Sequence, residues 1–397
     1  MTTTSLLAAN TPTFGAPTAT ADGFTVQITN YNGAFTYSGT ATAGSVSIDG
    51  LGLVTVTGLS PNTSSTVTIT TTQTGFANGS APVAATSLAP IAPLVTSTPT
   101  TSSTSQSTTV TLYDPVTNEP TGSVAPFPGF TGTISVTSGD FNNDGIADII
   151  AGAGLGGGPA IAVLDSQTGQ VIESFFAFDP AFTGGVNVAV YDVNNDGILD
   201  IIAAAGAGGG PEVRIFNGDG LTILRSFYAY AEDFTGGVSV ATIDLNNDGI
   251  LDIVTGAGAG GAPHVKVFDG STNEILSQWF AYPISFTGGV FVAVGDISND
   301  GNIELVTGAG QGGAPVVAVW DPLTGTLLAQ FYAYAEDFTG GARVGVYDGN
   351  GDGILDLITG AGPGGAPEVK GFNFPELDLL FTFYSGDPSN TGGVYLS

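Results

Sequence analysis

"DFNNDGIAD", residues 140–148, holds three aspartates, two asparagines and one glycine within nine residues. The same phrase, which reads Asp-x-Asn-x-Asp-Gly-x-x-Asp, returns every 52 residues with small variations. A constant interval of this length is typical of a repeat architecture in which each repeat is one supersecondary unit. The five phrases begin at Asp140, Asp192, Asp244, Asp296 and Asp348.

One repeat unit, residues 235–286, contains four β-prone runs separated by turn-rich stretches. These runs are "VSVATI", "DIVTGAG", "HVKVFD" and "ILSQWFAY", and no long stretch shows helical periodicity. Four short strands in a unit of roughly 40 to 50 residues are typical of a β-propeller blade. The repeat therefore predicts an all-β propeller over residues 109–397, with each acidic phrase in the loop between the first and second strands of a blade.

The phase of the repeat predicts the number of blades. Residues 109–130 match only a third and a fourth strand, and the final "NTGGVYLS" matches a sixth first strand. A ring whose last blade takes strands from both ends explains this phase, because such a blade removes exposed edges. We expect six blades, the sixth lacking its second strand and acidic loop. Two explanations stay open: an incomplete blade, or a chain that is part of a longer one.

Aromatic pairs near the fourth strands are expected mainly to pack between blades, with sugar stacking as the alternative. These pairs are Phe175 with Phe176, Phe227 with Tyr228, Trp279 with Phe280, and Phe331 with Tyr332.

The chain before the repeats has a different composition. Residues 1–88 are rich in Thr, Val and Ser in alternating runs such as "STVTITTTQTGF", which predicts a small antiparallel β-sandwich. Residues 89–108, "APIAPLVTSTPTTSSTSQST", have the Pro, Ser and Thr content of a semi-extended linker. Within the first segment, residues 56–87 resemble the second half of a fibronectin type III domain, so we expect a fibronectin- or immunoglobulin-like spacer.

The overall charge excludes several classes of partner. The chain has 35 acidic and 5 basic residues, for a net charge of -30, and its basic residues are scattered. Nucleic acid and anionic membrane surfaces are therefore poor partners. Because there is no cysteine, disulfides, thiolate metal sites and cysteine nucleophiles are excluded. No apolar run is long enough to span a membrane, and no signal peptide is visible.

The acidic loops carry the main candidate site. Carboxylates held close together repel one another by about 4 kcal/mol per pair at an effective dielectric constant of 20, so a closed loop calls for a cation. Ligand sets made only of oxygen favour Ca²⁺ over zinc or copper, and a flexible loop favours it over Mg²⁺. We expect about five structural Ca²⁺ sites and no catalytic residue. The expected ligands are Asp140, Asn142, Asp144, Ile146 and Asp148; Asp192, Asn194, Asp196, Ile198 and Asp200; Asp244, Asn246, Asp248, Ile250 and Asp252; Asp296, Ser298, Asp300, Asn302 and Glu304; and Asp348, Asn350, Asp352, Ile354 and Asp356, with each residue at the seventh position acting through its carbonyl.

The fourth loop, residues 296–304, departs from the pattern at its third, seventh and ninth positions, and we expect it to bind Ca²⁺ most weakly. An EF-hand begins in the same way but needs a glutamate at position 12 and two flanking helices. Position 12 is alanine or threonine in all five loops, so strand-to-strand loops are favoured.

The acidic loop, the apolar strand after it and the following "GAG.GG.P" resemble the FG-GAP or VCBS repeat, which builds the propeller at the head of integrin α subunits. The resemblance implies Ca²⁺ in the hairpin between the first two strands of a blade. It also implies a role in adhesion, recognition or extracellular scaffolding. Integrins have seven blades and cysteines, both of which differ from our expectation for this chain.

Together these features predict a non-enzymatic, calcium-binding surface protein for adhesion, recognition or structural decoration. The expected partner is a protein or glycan on a surface, without nucleic acid or direct membrane insertion, and a larger assembly is a further option. The expected location is extracellular, on a cell surface or on a virion surface. Two alternatives remain: a phage decoration or fibre protein, and a polysaccharide-active propeller enzyme.

Overall fold

The computed structural model describes residues 7–8, 10–20, 23–59, 64–86, 93–99, 107–114, 117–194, 196–218, 221–246, 248 and 250–396. The chain divides into two compact units, Met1–Pro90 and Ile91–Ser397. In the described ranges every regular element is a β-strand, so they contain no helix that is long and apolar enough to cross a membrane.

The first unit contains two antiparallel sheets on one core. Its strands are β1 (Leu7–Ala8), β2 (Thr18–Thr20), β3 (Gly23–Gln27), β4 (Thr36–Ala41), β5 (Ser45–Ile48), β6 (Leu53–Thr57), β7 (Ser64–Thr72), β8 (Phe76–Ala77) and β9 (Gly79–Thr86). One sheet has the order β2-β3-β6-β5 and the other β4-β7-β9, while β1 pairs with β8. Phe24 of the first sheet and Val67 of the second are both fully buried in the same cluster. The alternating pattern of β7 thus points one face of its sheet to the core.

Among its described residues, the second unit contains six four-stranded antiparallel sheets. One of them, the terminal sheet, takes strands from both ends of the unit, and the other five, repeat sheets 1 to 5, each use four consecutive strands. The terminal sheet consists of β10 (Leu94–Thr98), β11 (Thr109–Tyr113), β12 (Pro120–Val124) and the last strand of the chain, β33 (Tyr395–Leu396). The repeat sheets are, in order, β13 (Ile134–Gly139), β14 (Asp148–Ala153), β15 (Ala160–Leu164) and β16 (Val171–Phe176); β17 (Val186–Tyr191), β18 (Asp200–Ala205), β19 (Glu212–Phe216) and β20 (Ile223–Tyr228); β21 (Val238–Ile243), β22 (Asp252–Ala257), β23 (His264–Phe268) and β24 (Ile275–Phe280); β25 (Val290–Gly295), β26 (Glu304–Ala309), β27 (Val316–Asp321) and β28 (Thr326–Tyr332); and β29 (Ala342–Tyr347), β30 (Asp356–Ala361), β31 (Glu368–Phe372) and β32 (Leu379–Tyr384).

Each repeat sheet confirms the predicted four strands per unit. The predicted runs of residues 235–286 correspond to β21, β22, β23 and β24, which pair in chain order. The acidic phrase lies between the first and second strands in all five sheets, as expected. These sheets are the four-stranded units of a β-propeller.

Part of the predicted linker is a strand instead. Residues 94–98 form β10, which pairs with β11 and also with β33, where Ser97 faces Tyr395. The expectation that the last sheet lacks a second strand is therefore wrong. Leu94 and Val95 are 1% and 0% exposed. These two buried apolar side chains are enough to anchor β10, because β11 and β33 hydrogen-bond to its two edges. Linker residues 89–92 and 100–106 lie outside the described residues.

Hydrophobic cores lie between consecutive sheets, because in each repeat sheet the second strand is buried along its whole length. Ile150 of sheet 1 and Ile201 of sheet 2 share one such core. The terminal sheet contributes Leu94 to a core with Ile358 of sheet 5, and this core also holds Val394. Both ends of the second unit thus pack on the same cluster.

The expected packing of the aromatic pairs is correct for only one member of each pair. The first members contact buried clusters: Phe175, Phe227, Trp279 and Phe331. The second members are 46–54% exposed: Phe176, Tyr228, Phe280 and Tyr332. Successive side chains of a strand point to opposite faces, so two adjacent aromatics cannot both enter one core.

We predict that Val394→Ala lowers the free energy of unfolding by about 2 kcal/mol, since it removes two buried methyl groups and leaves a cavity. Urea denaturation followed by tryptophan fluorescence measures the change. Val171→Ala is the control, because Val171 is 56% exposed and its loss is expected to change stability by less than about 0.5 kcal/mol. Equal effects of the two substitutions would contradict the packing of Val394 against the terminal sheet.

Candidate functional site

Each of the five acidic loops connects the first strand of a repeat sheet to its second strand. In the first loop, Gly139 is the last residue of β13 and faces Asp148, the first residue of β14. The ninth position of each loop is therefore a strand residue, and the first eight positions form a turn whose second position is buried and whose fifth position is exposed in every loop. This geometry follows from the antiparallel pairing of β13 and β14, which brings the two ends of the phrase together.

The first position of the loop accepts hydrogen bonds from the far side of the turn. Asp140 Oδ1 accepts from the Asp144 amide at 3.0 Å, and Oδ2 accepts from the Gly145 amide at 2.9 Å. Gly145 has a φ of 89°, a conformation that suits glycine and explains why this residue type stands at the sixth position. Equivalent bonds to the amides of positions 5 and 6 are made by Asp192, Asp296 and Asp348, and Asp244 makes the bond to position 5.

Positions 3 and 5 form local turns of the kind in which a side-chain oxygen accepts from an amide two residues on. Asn142 Oδ1 accepts from the Asp144 amide at 2.9 Å, and Asp144 Oδ1 accepts from the Ile146 amide at 2.9 Å. The same bonds at position 3 involve Asn194, Asn246 and Asn350, and those at position 5 involve Asp196, Asp248, Asp300 and Asp352.

The ninth position is a buried anchor. Asp200 is fully buried, and its Oδ2 accepts from the Val193 amide at 3.0 Å. Its Oδ1 accepts at 3.0 Å from the amide of Gly218, which lies in the turn between the third and fourth strands of the same sheet. Sheet 3 repeats this arrangement, where Asp252 accepts from the Gly270 amide at 2.9 Å. This carboxylate thus joins the acidic loop to a second turn.

Burial raises the pKa of the carboxylate at the ninth position in every loop. Desolvation is the main cause, and the amide hydrogen bonds oppose it. The effect is largest for Asp356, whose pKa is raised to about 6, and the nearby Asp352 and Asp348 raise it further. Electrostatic repulsion within the loop, which the sequence led us to expect, therefore exists between the ninth position and its loop neighbours.

The fourth loop reaches the same arrangement with different side chains. Glu304 Oε2 accepts from the amides of Ile297 at 3.0 Å and Ser298 at 3.2 Å. Its other oxygen accepts from the Ser298 hydroxyl at 3.0 Å, and Asn302 Nδ2 donates to Asp300 at 2.9 Å. Of the three residues that depart from the pattern, Ser298 thus bonds Glu304, and Asn302 bonds Asp300 of the same loop.

The structure does not bring the expected ligands together on one point. In the described part of the chain, no three His, Cys, Asp or Glu side chains form a group able to hold a metal ion. Positions 1, 3 and 5 face amides of the turn, whereas position 9 lies beneath it. The donor set still fits a hard cation chemically, since every candidate atom is oxygen. A carboxylate offers about four lone-pair sites, more than the hydrogen bonds of any one loop aspartate occupy.

The sequence did not lead us to expect the turn between the third and fourth strands, whose amide bonds the carboxylate at the ninth position. In sheet 3 this turn begins at Asp269, whose Oδ1 accepts from the Ser271 and Thr272 amides, and Asn246 Nδ2 lies 3.4 Å from its Oδ2. Sheet 1 has Asp165 in the same role. The available signal was the residue 25 positions after the start of the phrase, which is aspartate in three repeats (Asp165, Asp269 and Asp321) and asparagine in two (Asn217 and Asn373).

We predict that chelator-treated protein loses stability as the pH rises from 5 to 7. A carboxyl whose folded pKa exceeds its unfolded value stabilises the fold fully below about pH 4, and this contribution is lost as the pH passes the folded value. For Asp356 that value is about 6. Carboxyls with lowered pKa, such as Asp269 at about 2, act in the opposite direction but only at lower pH.

Melting temperatures at the two pH values measure this effect. Asp356→Asn is expected to reduce the decrease, because an amide does not ionise. Asp337→Asn, at an exposed position outside the loops, is the control and is expected to leave the decrease unchanged. Identical pH profiles for the two variants would show that Asp356 does not titrate in this window.

Comparison with known proteins identifies the repeats. Residues 132–172 match the FG-GAP repeat, and residues 192–255 match the FG-GAP-like repeat. The first match spans sheet 1 up to the start of its fourth strand, and both matches include acidic loops. Among curated proteins, none matches this sequence.

Several solved structures are similar at low identity. A protein of unknown function from Bacteroides caccae has a TM-score of 0.39 and 14% identity, over 59% of this chain and 73% of its own. The exotype rhamnogalacturonan lyase YesX has a TM-score of 0.38 and 11% identity, over 98% of this chain and 85% of its own. The Dos1 propeller has a TM-score of 0.39 and 12% identity, over 88% and 90%.

TM-scores below 0.5 decide neither the fold nor the function of this chain, so the repeat matches and the strand pairing carry the assignment. The acidic loop and the four-stranded sheet recur together at the interval of 52 residues. This chain contains FG-GAP repeats, built as successive four-stranded antiparallel β-sheets.

Proposed function

We propose that this chain is a calcium-stabilised β-propeller that acts in recognition or structural decoration at a surface and catalyses no reaction. The observation that carries the proposal is the fivefold repetition of one loop geometry. In every loop the carboxylate at position 1 accepts from the amide of position 5, and the carboxylate at position 5 accepts from the amide of position 7. The carboxylate at position 9 accepts from the amide of position 2. Evolutionary variation of a merely solvated turn gives no reason for such uniformity, whereas a shared ligand does.

The proposed propeller has six blades closed into a ring. The six sheets and the clusters between consecutive sheets support this count. The pairing of β10 with β33 supports closure, because it joins strands from the two ends of the unit. A closed ring leaves only short outer edges unpaired, which favours a monomeric and soluble scaffold.

The proposed ions are Ca²⁺, one in each loop. Oxygen ligands from carboxylates, amides and a carbonyl are those that Ca²⁺ prefers. Five divalent ions add ten positive charges and change the formal net charge from -30 to -20. The raised pKa at the ninth positions supports a cation as the natural counter-charge, since it lowers the free energy of the ionised carboxylates. Because ions bind the folded state, their binding energy adds to stability.

The proposed role of the first unit is a fibronectin type III-like or immunoglobulin-like spacer. Two antiparallel sheets on one apolar core support this assignment. A spacer in the same chain suits presentation of the propeller to a protein or glycan on another surface. Both a cell surface and a virion surface fit this role, and mass spectrometry of purified phage particles separates the two settings.

We predict that a Ca²⁺ chelator lowers the melting temperature markedly, by more than about 10 °C, if the ions contribute several kcal/mol in total. Differential scanning calorimetry with and without chelator measures the change. Restoration by Ca²⁺ but not by Mg²⁺ is the expected specificity. An identical melting temperature in chelator and in excess Ca²⁺ would exclude structural calcium.

Calorimetric titration of Ca²⁺ tests the assignment of the loops. The wild-type chain is expected to bind about five ions, one per loop. The pair Asp192→Asn and Asp196→Asn is expected to remove one ion, because it removes two exposed carboxylates of a single loop. The pair Glu336→Gln and Asp337→Asn is the control, since it removes the same charge from exposed positions outside the loops. Loss of an ion in the control would mean diffuse binding by net charge.

We predict calcium-dependent binding in a screen of glycans and surface proteins, with no turnover of a polysaccharide panel. Ca²⁺ is expected to increase affinity indirectly, because it stabilises the folded propeller. Depolymerisation of any polysaccharide in the panel would overturn the non-enzymatic proposal. Binding without turnover, weakened by chelator, is the result that supports it.

A further inference from the structure

The first strands of all six sheets line one cavity of about 250 Å³. One level of this cavity is a ring of residues that occupy equivalent positions in the six strands, 52 residues apart. In the five repeat sheets this position is the second residue of the first strand, so the ring lies at the opposite end of these strands from the acidic loops. The cavity ring consists of Ser135, Asn187, Ser239, Phe291, Arg343 and Tyr395.

Most members of the cavity ring bind the next sheet. Ser135 Oγ accepts from the Val188 amide at 3.2 Å, and Ser239 Oγ accepts from the Val292 amide at 3.2 Å. Asn187 Nδ2 donates to the Val238 carbonyl at 2.6 Å. Because both serine hydroxyls act as acceptors in these bonds, their hydrogens stay available for another acceptor.

Arg343 places a buried cation in this ring. Its side chain belongs to a residue that is 7% exposed, and its Cζ lies 4.8 Å from the Phe291 ring centroid and 4.4 Å from the Tyr395 ring centroid. Nη2 donates to the Tyr395 hydroxyl at 2.8 Å. The aromatic faces stabilise the positive charge but supply no acceptor in the guanidinium plane.

Two donor atoms of Arg343, Nε and Nη1, have no hydrogen-bond partner among the described residues. The chain's other four basic side chains do have acceptors there: Arg214, Arg225, Lys266 and Lys370. Gly362 lies close to the guanidinium, since a Cβ at this position would lie 2.7 Å from Nη1 and 1.8 Å from the Gly340 carbonyl oxygen, so only glycine fits here. A buried guanidinium with two unpaired donor atoms is unfavourable, so the site favours a molecule that brings acceptors for them.

We propose that this end of the cavity binds one small oxyanion, a carboxylate or an inorganic oxyanion, through Nε and Nη1 of Arg343. The Ser135 and Ser239 hydroxyls lie in the same ring and are the additional donors. The acidic loops lie at the other end, so the anion enters from the Arg343 end.

Binding of acetate and of sulfate to the full-length chain tests this site, each by equilibrium dialysis with radiolabelled anion at constant ionic strength. We expect one saturable site per chain, and the preferred anion distinguishes a carboxylate ligand from an inorganic one. Arg343→Met is expected to weaken binding at least about tenfold, the loss typical of hydrogen bonds to a charged group. Arg225→Met removes the same charge where the arginine already has protein acceptors, and it is expected to bind as the wild type does.

Nuclear magnetic resonance provides a test that does not depend on a variant folding. The chain has three arginines, so the Nε–H signals are few, and one of them is expected to shift saturably with the preferred anion. Tyr395→Phe keeps the aromatic face and is expected to retain binding. Absence of saturable binding of both anions to the wild type would overturn the proposal and assign the two donors to water. Equal binding by Arg343→Met and wild type would also overturn it.

Discussion

Complete burial of the second strands is the constraint on which the second unit depends. A four-stranded sheet with an apolar strand such as β14 or β18 needs cover on both faces, and it cannot supply that cover itself. The neighbouring sheets do so, and the clusters between them are built mainly from Ile, Val and Ala. Glycine and short loops at the strand ends let adjacent sheets approach closely. The repeat thus gains stability only when several copies stand together.

The few cations of this acidic chain lie where sheets meet. Lys266 of sheet 3 donates to the Ala229 carbonyl at the exit of sheet 2, and Lys370 of sheet 5 donates in the same way to Ala333 after sheet 4. Arg214 repeats this contact between sheets 2 and 1. Each of these three cations therefore bonds a carbonyl of another sheet, a neutral partner. Surface ion pairs contribute little by comparison, because solvent screens them.

Much of the second unit could be predicted because its pattern is periodic. Strand number, loop position and the sixth-position glycine such as Gly145 all follow from the 52-residue interval. The strand at Leu94–Thr98 was missed because Thr, Ser and Pro dominate its surroundings and one of its partners lies about 300 residues later in the chain. Tertiary pairing overrides local composition there.

The residues of the candidate site could be predicted from the sequence, but the different environments of its carboxylates could not. Charge spacing groups Asp140, Asp144 and Asp148 as equals, yet the structure buries the third beneath the turn and leaves the second exposed. That difference comes from strand register, which puts the ninth position in a sheet. The unpaired donors of Arg343 were equally hidden, because sister repeats carry serine, asparagine or an aromatic at this position.

The terminal sheet also constrains the order of folding. Sheets 1 to 5 are made of consecutive hairpins, so each can form as soon as its own strands have been synthesised. The pairing of Ser97 with Tyr395 joins residues at opposite ends of the second unit and has to wait for both. Loop closure over so long a segment is slow and entropically costly. Until it occurs, β10 and the outermost repeat sheets expose apolar edges, and nascent chains are then most exposed to mispairing with one another.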